Sequence, residues 1–350
     1  MITLPGLIDP HVHLRYLDSH KEDFLTSTKA AIAGGFTMVI DMPNNSEPIT
    51  TFSRLQKKSE QAYREISCDL GFYFGSLGDN LDEFAKVTDL VHGLKLYLNL
   101  TTGAYIIDEP VMKKIYQKWY EVTKGTKPIL LHAEEDVMDS VKRVLTEIPQ
   151  PTHIVHVSSE HELNQVRQLR EEGLPVTCGV TPHHLFLTAD DEARLGPYGL
   201  MKPRLKTKQD QDFLWANLQH IDVIESDHAP HTKEEKESGN PPFGVPGLET
   251  TLPLLLTAMS QGKLTKEDII DKCHTKVREI FHVQDQPNTY VEIDENEKWI
   301  IKNENLYTKS KWSPFDGFPV KGKVKQVVIR GTNAYENGAI LVGPGFGKIM

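Results

Sequence analysis

Two histidines near the start of the chain have a spacing that suits a metal ion. His11 and His13 follow the apolar run 4–10 and flank Val12. Successive side chains of a β-strand point to opposite faces, so both imidazoles lie on one face, and Asp9 and Arg15 share that parity. Adjacent imidazoles at a strand end can bind one divalent cation, whereas a strand that only supports a fold places apolar side chains there. The spacing therefore predicts a metal site at the end of the first long strand.

Further polar side chains stand at the ends of other apolar runs, namely Asn44, Lys95, His132, His156 and Asp227. One such histidine or lysine is common in a protein core, but so many at equivalent positions indicate a shared site. Four histidines and an aspartate exceed the three protein ligands usual for one catalytic zinc and suit two metals, provided that another group bridges them. A lysine ammonium has no lone pair, so Lys95 could be the bridge only after reaction with carbon dioxide to a carbamate.

Alternating strands and helices position these residues. Short β-rich runs alternate with amphipathic patterns as far as about residue 262. The predicted strands are 7–14, 37–42, 68–76, 93–98, 128–132, 153–157, 175–180 and 222–226, and the clearest helices are 21–33, 52–66, 109–122, 134–145 and 160–171. About eight such units predict an α/β fold, a (β/α)8 TIM barrel, whose functional residues collect at the carboxyl ends of the strands. An open doubly wound sheet is the alternative, although the Gly-rich phosphate loop expected after its first strand is missing.

The last part of the chain has a different pattern. Residues 290–293 alternate in polarity, and 324–329 and 339–342 are short apolar runs. We therefore expect a barrel over residues 1–282 and a small β-rich extension over 283–350 that packs on it. The polar stretch 232–240, followed by two prolines, predicts a mobile surface loop.

Composition and charge narrow the classes of function. The 350 residues include 39 Lys and Arg against 49 Asp and Glu, a formal net charge of −10, which argues against a nucleic-acid partner. The widely spaced cysteines Cys68, Cys178 and Cys273 indicate a reducing compartment without a disulfide framework. No signal peptide is recognisable, and no apolar run reaches the ~20 residues that span a bilayer, so we expect a cytoplasmic protein without a membrane partner.

The motifs resemble those of the amidohydrolase superfamily. The matching segments are His11-Val-His13-Leu-Arg15, Met42-Pro-Asn44, Gly93-Leu-Lys-Leu-Tyr97, His132-Ala-Glu134, His156-Val-Ser158, Pro182-His-His184, Ser226-Asp-His-Ala-Pro-His231, Gly244-Val-Pro-Gly-Leu-Glu-Thr250 and Trp312-Ser-Pro-Phe315. The H-x-H motif alone marks only the superfamily. The combination is similar to the dihydroorotases over nearly the whole chain, in particular to the dihydroorotase domain of the animal multifunctional pyrimidine-synthesis polypeptide.

The resemblance implies a hydrolase with two Zn²⁺ per chain, bridged by carboxylated Lys95 and hydroxide. Both histidines of the H-x-H motif and Asp227 would hold the first ion, and His132 and His156 the second. The implied reaction is the reversible cyclisation of N-carbamoyl-L-aspartate to L-dihydroorotate in de novo pyrimidine biosynthesis. Asp227 would be the catalytic residue that moves a proton between the attacking water and the ring nitrogen.

Substrate recognition follows from the same resemblance. A guanidinium offers two parallel donors to the ring carboxylate, and an amide and an imidazole would complete that pocket. Two threonines belong to a loop that closes over the substrate. The substrate-binding residues implied in this way are Arg15, Asn44, Thr101, Thr102, Lys202, His231 and Gly244.

Several positions depart from the pattern of the animal domain. Gly179 stands where that domain has glutamate and Val155 where it has cysteine, so two zinc ions are expected and no additional metal. An arginine that contacts substrate aligns with Lys202, while Arg204 replaces a glutamate, and either cation could serve. Phe243 replaces a proline of the pocket wall.

Three alternatives stay open at this point. Another cyclic amidohydrolase, such as a dihydropyrimidinase, hydantoinase or allantoinase, would share the metals and differ in the pocket, where Arg15 and His231 favour an anionic ring. A catalytically inactive family member with an assembly role would typically lose metal ligands, and all six are present. A phosphotriesterase-like hydrolase on the same barrel fits the pair of Arg15 and Asn44 less well. A homodimer, and association with other pyrimidine-pathway enzymes, are expectations from the resemblance.

Overall fold

The strands form two sheets. The computed structural model describes residues 1–99 and 106–350. Numbered along the chain, its strands are β1 (Ile2–Pro5), β2 (Leu7–Val12), β3 (Phe36–Asp41), β4 (Asp69–Gly75), β5 (Gly93–Tyr97), β6 (Ile129–His132), β7 (Thr152–Ile154), β8 (Val176–Val180), β9 (Val223–Ile224), β10 (Tyr290–Ile300), β11 (Pro319–Ile329), β12 (Thr332–Glu336) and β13 (Ala339–Ile340).

In the described ranges, β2 to β9 form an eight-stranded parallel sheet in sequence order. A parallel bridge between Val12 and His228 joins the first of these strands to the segment after the last, and the His13 amide donates to the His228 carbonyl at 2.8 Å. The sheet therefore closes, and the predicted TIM barrel is confirmed. All eight predicted strands are present, but three end two or more residues earlier than expected. β2 ends at Val12, so His13 lies beyond the strand that it was expected to end. His156 was expected to close its strand, yet β7 ends at Ile154 and β9 at Ile224.

Helices connect the strands. They are α1 (Phe24–Ala33), α2 (Phe52–Glu65), α3 (Phe84–Val87), α4 (Glu109–Thr123), α5 (Met138–Glu147), α6 (Glu160–Glu171), α7 (Pro182–Phe186), α8 (Ala189–Leu195), α9 (Lys208–Ala216), α10 (Lys233–Lys236), α11 (Leu248–Ser260), α12 (Lys266–Ile270) and α13 (Lys276–Phe281). Their starts follow local chemistry: Asp23, Thr51, Asp108 and Ser159 each accept a backbone N–H of the first turn of the helix that they precede.

The second sheet has the order β1-β10-β11-β12-β13 and is antiparallel. It confirms the expected β appendage, but its first strand comes from the start of the chain, since Leu4 pairs with Val291. Val291 and Val327 belong to the same hydrophobic cluster as the barrel residues Leu7 and Phe36, so the two sheets share a core.

A separate cluster fills the barrel. It contains Ile8, Met38, Ile40, Tyr73 and Leu130. Long apolar runs are typical of parallel strands covered on both faces, and β3 and β4 are buried along their whole length. The polar side chains of the strand ends lie beside this hydrophobic cluster.

Candidate active site

The polar strand ends meet in one cleft. The cleft is lined by His11, His13, Arg15, Asn44, Tyr97, His132, His156, Lys202, Asp227, Ala229, Phe243 and Gly244. Lys95 lines an adjoining pocket that shares Asn44 and Tyr97 with it. The structure thus brings together the six residues predicted as metal ligands, and it places cationic and amide side chains beside them.

Asp227 lies against both histidines of the H-x-H motif. Its Oδ1 atom is 3.3 Å from His11 Nε2 and 3.1 Å from His13 Nε2. The other ring nitrogen of His13 is 2.8 Å from Asn44 Oδ1, an acceptor, so the His13 proton belongs on Nδ1. Asn44, predicted only as a substrate contact, therefore also orients a candidate metal ligand.

A second pair of histidines adjoins the first. His132 Nδ1 is 2.9 Å from His156 Nε2. The ring centroids of His11 and His156 are 5.4 Å apart. His156 Nδ1 is buried and has no hydrogen-bond partner within the described residues.

Burial favours the neutral form of three of these histidines, His13, His132 and His156. It lowers the pKa of His13 to about 4, against the opposing effect of Asp227, and lowers the pKa of His132 and, well below its usual value, of His156. For Asp227, burial acts to raise the pKa, but the neighbouring His11 and His13 outweigh it and hold the pKa below its usual value.

A cation fits this arrangement. Neutral His13 carries its proton toward Asn44, so a nitrogen lone pair faces a carboxylate oxygen at 3.1 Å, which is repulsive unless a positive charge lies between them. Ligand atoms of His11, His156 and Asp227 all lie within 4.8 Å of one another. Imidazole and carboxylate donors suit zinc.

Lys95 is the remaining candidate ligand. Its side chain is 1% exposed, and its Nζ lies 4.9 Å from the centre of the Tyr97 ring. Within the described ranges Nζ has no hydrogen-bond partner, and burial lowers its pKa to about 7. A substantial fraction of this side chain is therefore a neutral, nucleophilic amine at neutral pH.

Three residues of the cleft have left-handed backbone conformations. The φ angles are +59° at Arg15, +44° at His156 and +44° at Asp227. Such conformations cost about 1–3 kcal/mol each in residues other than glycine and concentrate at functional sites. They turn side chains into the cleft from positions beyond the ends of β2, β7 and β9.

Arg15 forms one wall of the cleft. Its Nε donates to the Pro230 carbonyl at 3.0 Å, and one terminal nitrogen lies 3.1 Å from His231 Nε2. Arg15 is 9% exposed and His231 is 1% exposed. The guanidinium is thus held from one side and faces the cleft from the other. His231 does not line the cleft but supports Arg15.

The cleft contains a second cation. Lys202 lines the cleft, with its Nζ 5.3 Å from the Phe243 ring centre, whereas Arg204 pairs with Glu192 on the surface. Of the two candidate cations, Lys202 is therefore the one at the site. Gly244 has φ +128°, and a Cβ there would lie 2.5 Å from the Ala229 carbonyl oxygen, so glycine allows the close approach of these two segments.

The predicted substrate contacts Thr101 and Thr102 lie outside the described residues.

Sequence reasoning missed buried charges that hold the strand ends. Lys58 Nζ is 2.7 Å from Asp41 Oδ2 and donates to the Met42 carbonyl and to Asn45. The other oxygen of Asp41 accepts the Leu14 amide at 2.8 Å. This pair fixes the segments that carry His13, Arg15 and Asn44. Lys58 follows Lys57 in the polar helix 52–66, and nothing in that pattern distinguishes it from its exposed neighbour.

The extension also contributes to the cleft. Trp312 Nε1 donates to the His231 carbonyl at 2.7 Å, and Lys236 Nζ lies 5.5 Å from the Trp312 ring centre. Lys236 is fully buried and donates to the carbonyls of Leu200, Pro242 and Gly244. The stretch expected as a mobile surface loop therefore contains a helical turn, α10, that is anchored beside the cleft.

Two further carboxylates lie behind the histidines. Asp9 accepts the amides of His11 and Ser226, and burial raises its pKa to about 7. Register shifts in β2 break the simple alternation, so Asp9 lies behind the cleft and not in it. Glu225 is fully buried next to His11 and His153. Burial acts to raise its pKa, but these neighbours outweigh it and lower the pKa to about 2. An acidic residue in the apolar run 223–226 was the available signal for Glu225.

Comparisons with known proteins agree with the geometry. The sequence pattern of the amidohydrolase family matches residues 2–197. A dihydroorotase of Pyrococcus furiosus is 35% identical over 362 residues, covering 98% of this chain and 84% of the relative. The chain belongs to the amidohydrolase family. The resemblance to dihydroorotases that the motifs indicated is thereby confirmed.

A longer relative is the multifunctional protein CAD of Squalus acanthias, 44% identical over 353 residues. The match covers 99% of this chain but only 16% of that relative. A multifunctional protein of Dictyostelium discoideum, 38% identical, is likewise matched over 16% of its length.

Solved structures extend the comparison. The L-hydantoinase (dihydropyrimidinase) from Arthrobacter aurescens has a TM-score of 0.95 at 26% identity, over 99% of this chain and 88% of that one. The inactive dihydroorotase-like domain of a Chaetomium thermophilum CAD-like protein has a TM-score of 0.85 at 26% identity, over 100% of this chain and 99% of that one.

In the described part of the chain, no helix is long and apolar enough to cross a membrane.

Proposed function

We propose that this chain is a dihydroorotase, which interconverts N-carbamoyl-L-aspartate and L-dihydroorotate in pyrimidine biosynthesis. The observation that carries the proposal is the composition of one cleft. The histidines and Asp227 supply metal donors at one side, and Arg15 faces the same cleft from another. A cyclic amide that carries a carboxylate matches both parts of the cleft, because its carbonyl suits a metal ion and its carboxylate suits Arg15. The dihydroorotase relatives support the choice of substrate.

We propose that the site holds two zinc ions. His11, His13 and Asp227 would bind one, and His132 and His156 the other, with carboxylated Lys95 between them. Bound zinc polarises an amide carbonyl and makes water more acidic. All six residues are at most 9% exposed, so water is largely excluded from the donors.

The surroundings of Lys95 support its carboxylation. Carbon dioxide adds to the neutral amine, a C–N bond forms, and one N–H proton leaves, which gives an anionic carbamate. The lowered pKa of Lys95, about 7, makes the neutral amine available. The product supplies two oxygen donors where the free lysine offered a cation.

Asp227 would be the proton carrier. Its Oδ1 faces His11 and His13, which leaves Oδ2 for a proton. Its carboxylate is ionised and would accept the proton of the attacking water during ring opening. The same proton then goes to the ring nitrogen as the C–N bond breaks, and the order is reversed in ring closure.

Arg15 would bind the ring carboxylate. Its contacts with Pro230 and His231 fix the guanidinium plane before the substrate arrives. Fewer rotamers are lost on binding as a result, and the paired donors match the two carboxylate oxygens. Asn44, Lys202 and Gly244 would complete the contact surface.

The test is turnover by the purified, zinc-loaded chain. We expect hydrolysis of L-dihydroorotate and closure of N-carbamoyl-L-aspartate, with little turnover of dihydrouracil, hydantoin or allantoin. Preference for an uncharged ring would assign the chain to the hydantoinase or dihydropyrimidinase group instead. Well under one zinc per chain, with no turnover of any ring, would indicate an inactive member with an assembly role.

Domain division, assembly and location are parts of the same proposal. We propose a barrel over residues 1–282 with an extension over 283–350, a homodimer, and association with other pyrimidine-pathway enzymes, which the multifunctional relatives support. Light scattering of the purified chain tests the dimer. The three buried free cysteines support a reducing compartment such as the cytoplasm.

A further inference from the structure

Glu225 touches two of the histidines that the proposed function assigns to zinc. Its Oε1 accepts the His156 amide at 2.5 Å, and its Oε2 lies 3.4 Å from His11 Nδ1. His153 Nε2 is 3.9 Å from the same Oε2. The carboxylate is fully buried, yet it does not line the cleft that holds the metal donors.

These contacts determine the tautomer of His11 and the backbone conformation of His156. The negative charge beside His11 Nδ1 favours the proton on that nitrogen, which leaves a lone pair on Nε2, the atom that faces Asp227 at 3.3 Å. The bond to the His156 amide anchors a residue whose φ is +44°, a conformation that needs support from its surroundings. One carboxylate therefore orients a ring on β2 and a backbone segment after β7.

Gly179 on β8 provides the space for this carboxylate. A Cβ built on Gly179 would lie 2.5 Å from Glu225 Oε1 and 2.7 Å from its carboxyl carbon. At such distances the Glu225 carboxylate has to move away from the His156 amide, so a side chain at position 179 displaces the present side chain at 225. Without the Glu225 carboxylate, the remaining close neighbour is Val223 Cγ2 at 3.1 Å, a side-chain atom that needs to shift only slightly.

We propose that Glu225 is a positioning residue for the metal centre, and that a carboxylate reaching the same space from position 179 can replace it. The inference rests on the proposed function in so far as that function requires bound zinc. It goes further by assigning the orientation of His11 and His156 to a residue outside the ligand set. Residues that orient metal-binding histidines typically contribute about 10–100-fold to metal affinity.

The experiment compares zinc affinity across four variants: Glu225→Ala, Gly179→Glu, the double variant, and Glu249→Ala. Glu249 is the matched control because its carboxylate accepts two backbone amides, of Tyr307 and Thr308, and touches no metal-site histidine in the described contacts. Zinc per chain is measured at graded chelator concentrations, with near-UV circular dichroism to establish folding.

We expect Glu225→Ala to bind zinc about 10–100-fold more weakly, and Gly179→Glu alone to lower stability through the clash. The double variant should regain most of the zinc affinity, and the Glu249 control should keep it. Folded Glu225→Ala with wild-type zinc affinity would overturn the inference, as would a folded double variant that binds zinc no better than Glu225→Ala. If Glu225→Ala does not fold, Glu225→Gln keeps an acceptor for the His156 amide and loses the charge beside His11. It should then bind zinc more weakly than wild type, and unchanged affinity would refute the proposal.

Failure of the proposed function gives a different result. Wild-type chain that binds zinc tightly but opens no dihydroorotate ring would contradict the dihydroorotase assignment and leave the role of Glu225 intact. If the wild-type chain turns over dihydroorotate and Glu225→Ala keeps the zinc affinity of wild type, only the role of Glu225 is contradicted.

Discussion

Replacing Arg15 with methionine tests substrate recognition separately from metal binding. The guanidinium is 9% exposed, donates to Pro230, and faces the cleft that contains the metal donors. Methionine keeps a similar unbranched stem and removes the charge. Because Arg15 is not among the predicted zinc ligands, Arg15→Met should keep its zinc.

The magnitude follows from the burial of Arg15. Removing one partner of a buried, hydrogen-bonded charge pair costs about 2–5 kcal/mol. At about 1.36 kcal/mol per factor of ten, kcat/KM for dihydroorotate should fall about 30- to 5,000-fold. Arg15→Lys keeps the charge but lacks the paired donors, so its kcat/KM for dihydroorotate should lie between the values of Arg15→Met and wild type.

The assay combines kcat/KM for dihydroorotate, zinc per chain, and competitive inhibition by orotate and uracil, two flat rings that differ by the carboxylate. Arg15→Met should weaken orotate inhibition by the same factor as kcat/KM and leave uracil inhibition unchanged. Arg204→Met is the matched control, because Arg204 pairs with Glu192 away from the cleft, and its kinetics should equal those of wild type. Equal losses for orotate and uracil, or loss of zinc from Arg15→Met, would refute the reasoning.

Three further predictions concern buried lysines. Lys95→Ala should lose both zinc and activity, because the bridging carbamate cannot form; full zinc content by atomic absorption would contradict this. Lys58→Met leaves the Asp41 carboxylate buried without its cation and should lower the free energy of unfolding by about 3–5 kcal/mol in denaturant titrations, and a change below about 1 kcal/mol would contradict the structural role of the pair. Burial lowers the pKa of Lys236 to about 7, so the folded chain releases the ammonium proton of Lys236 at a lower pH than the unfolded chain does. The unfolding free energy of wild type relative to Lys236→Met should therefore rise with pH between about 7 and 10, by at most about 1.4 kcal/mol per unit, and a flat difference would exclude the lowered pKa.

The barrel and the candidate metal donors could be predicted because their signals are local. Each βα unit has its own apolar run, and the barrel topology places every strand end on the same rim. His11, His13, His132 and Asp227 could be found in this way from position alone. Strand ends were less accurate at β7 and β9, where His156 and Asp227 follow in left-handed conformations that composition does not reveal.

The supporting residues could not be predicted because their partners are distant in sequence. Glu225 contacts His156 and His11, and Trp312 contacts the carbonyl of His231. No periodicity encodes such contacts. In the charged segment 232–240, the sequence does not distinguish the fully buried Lys236 from its exposed neighbours.

The bridge between Val12 and His228 has a consequence for how the protein is made. His13 and Asp227 are 214 positions apart in the chain. At about 5–20 residues per second, the ribosome needs about 10–40 s to synthesise the segment between them. During that interval the two histidines of the nascent chain lack the aspartate, and the barrel lacks its closing contact. Uptake of zinc by ribosome-bound chains of increasing length would therefore report the moment at which the barrel closes.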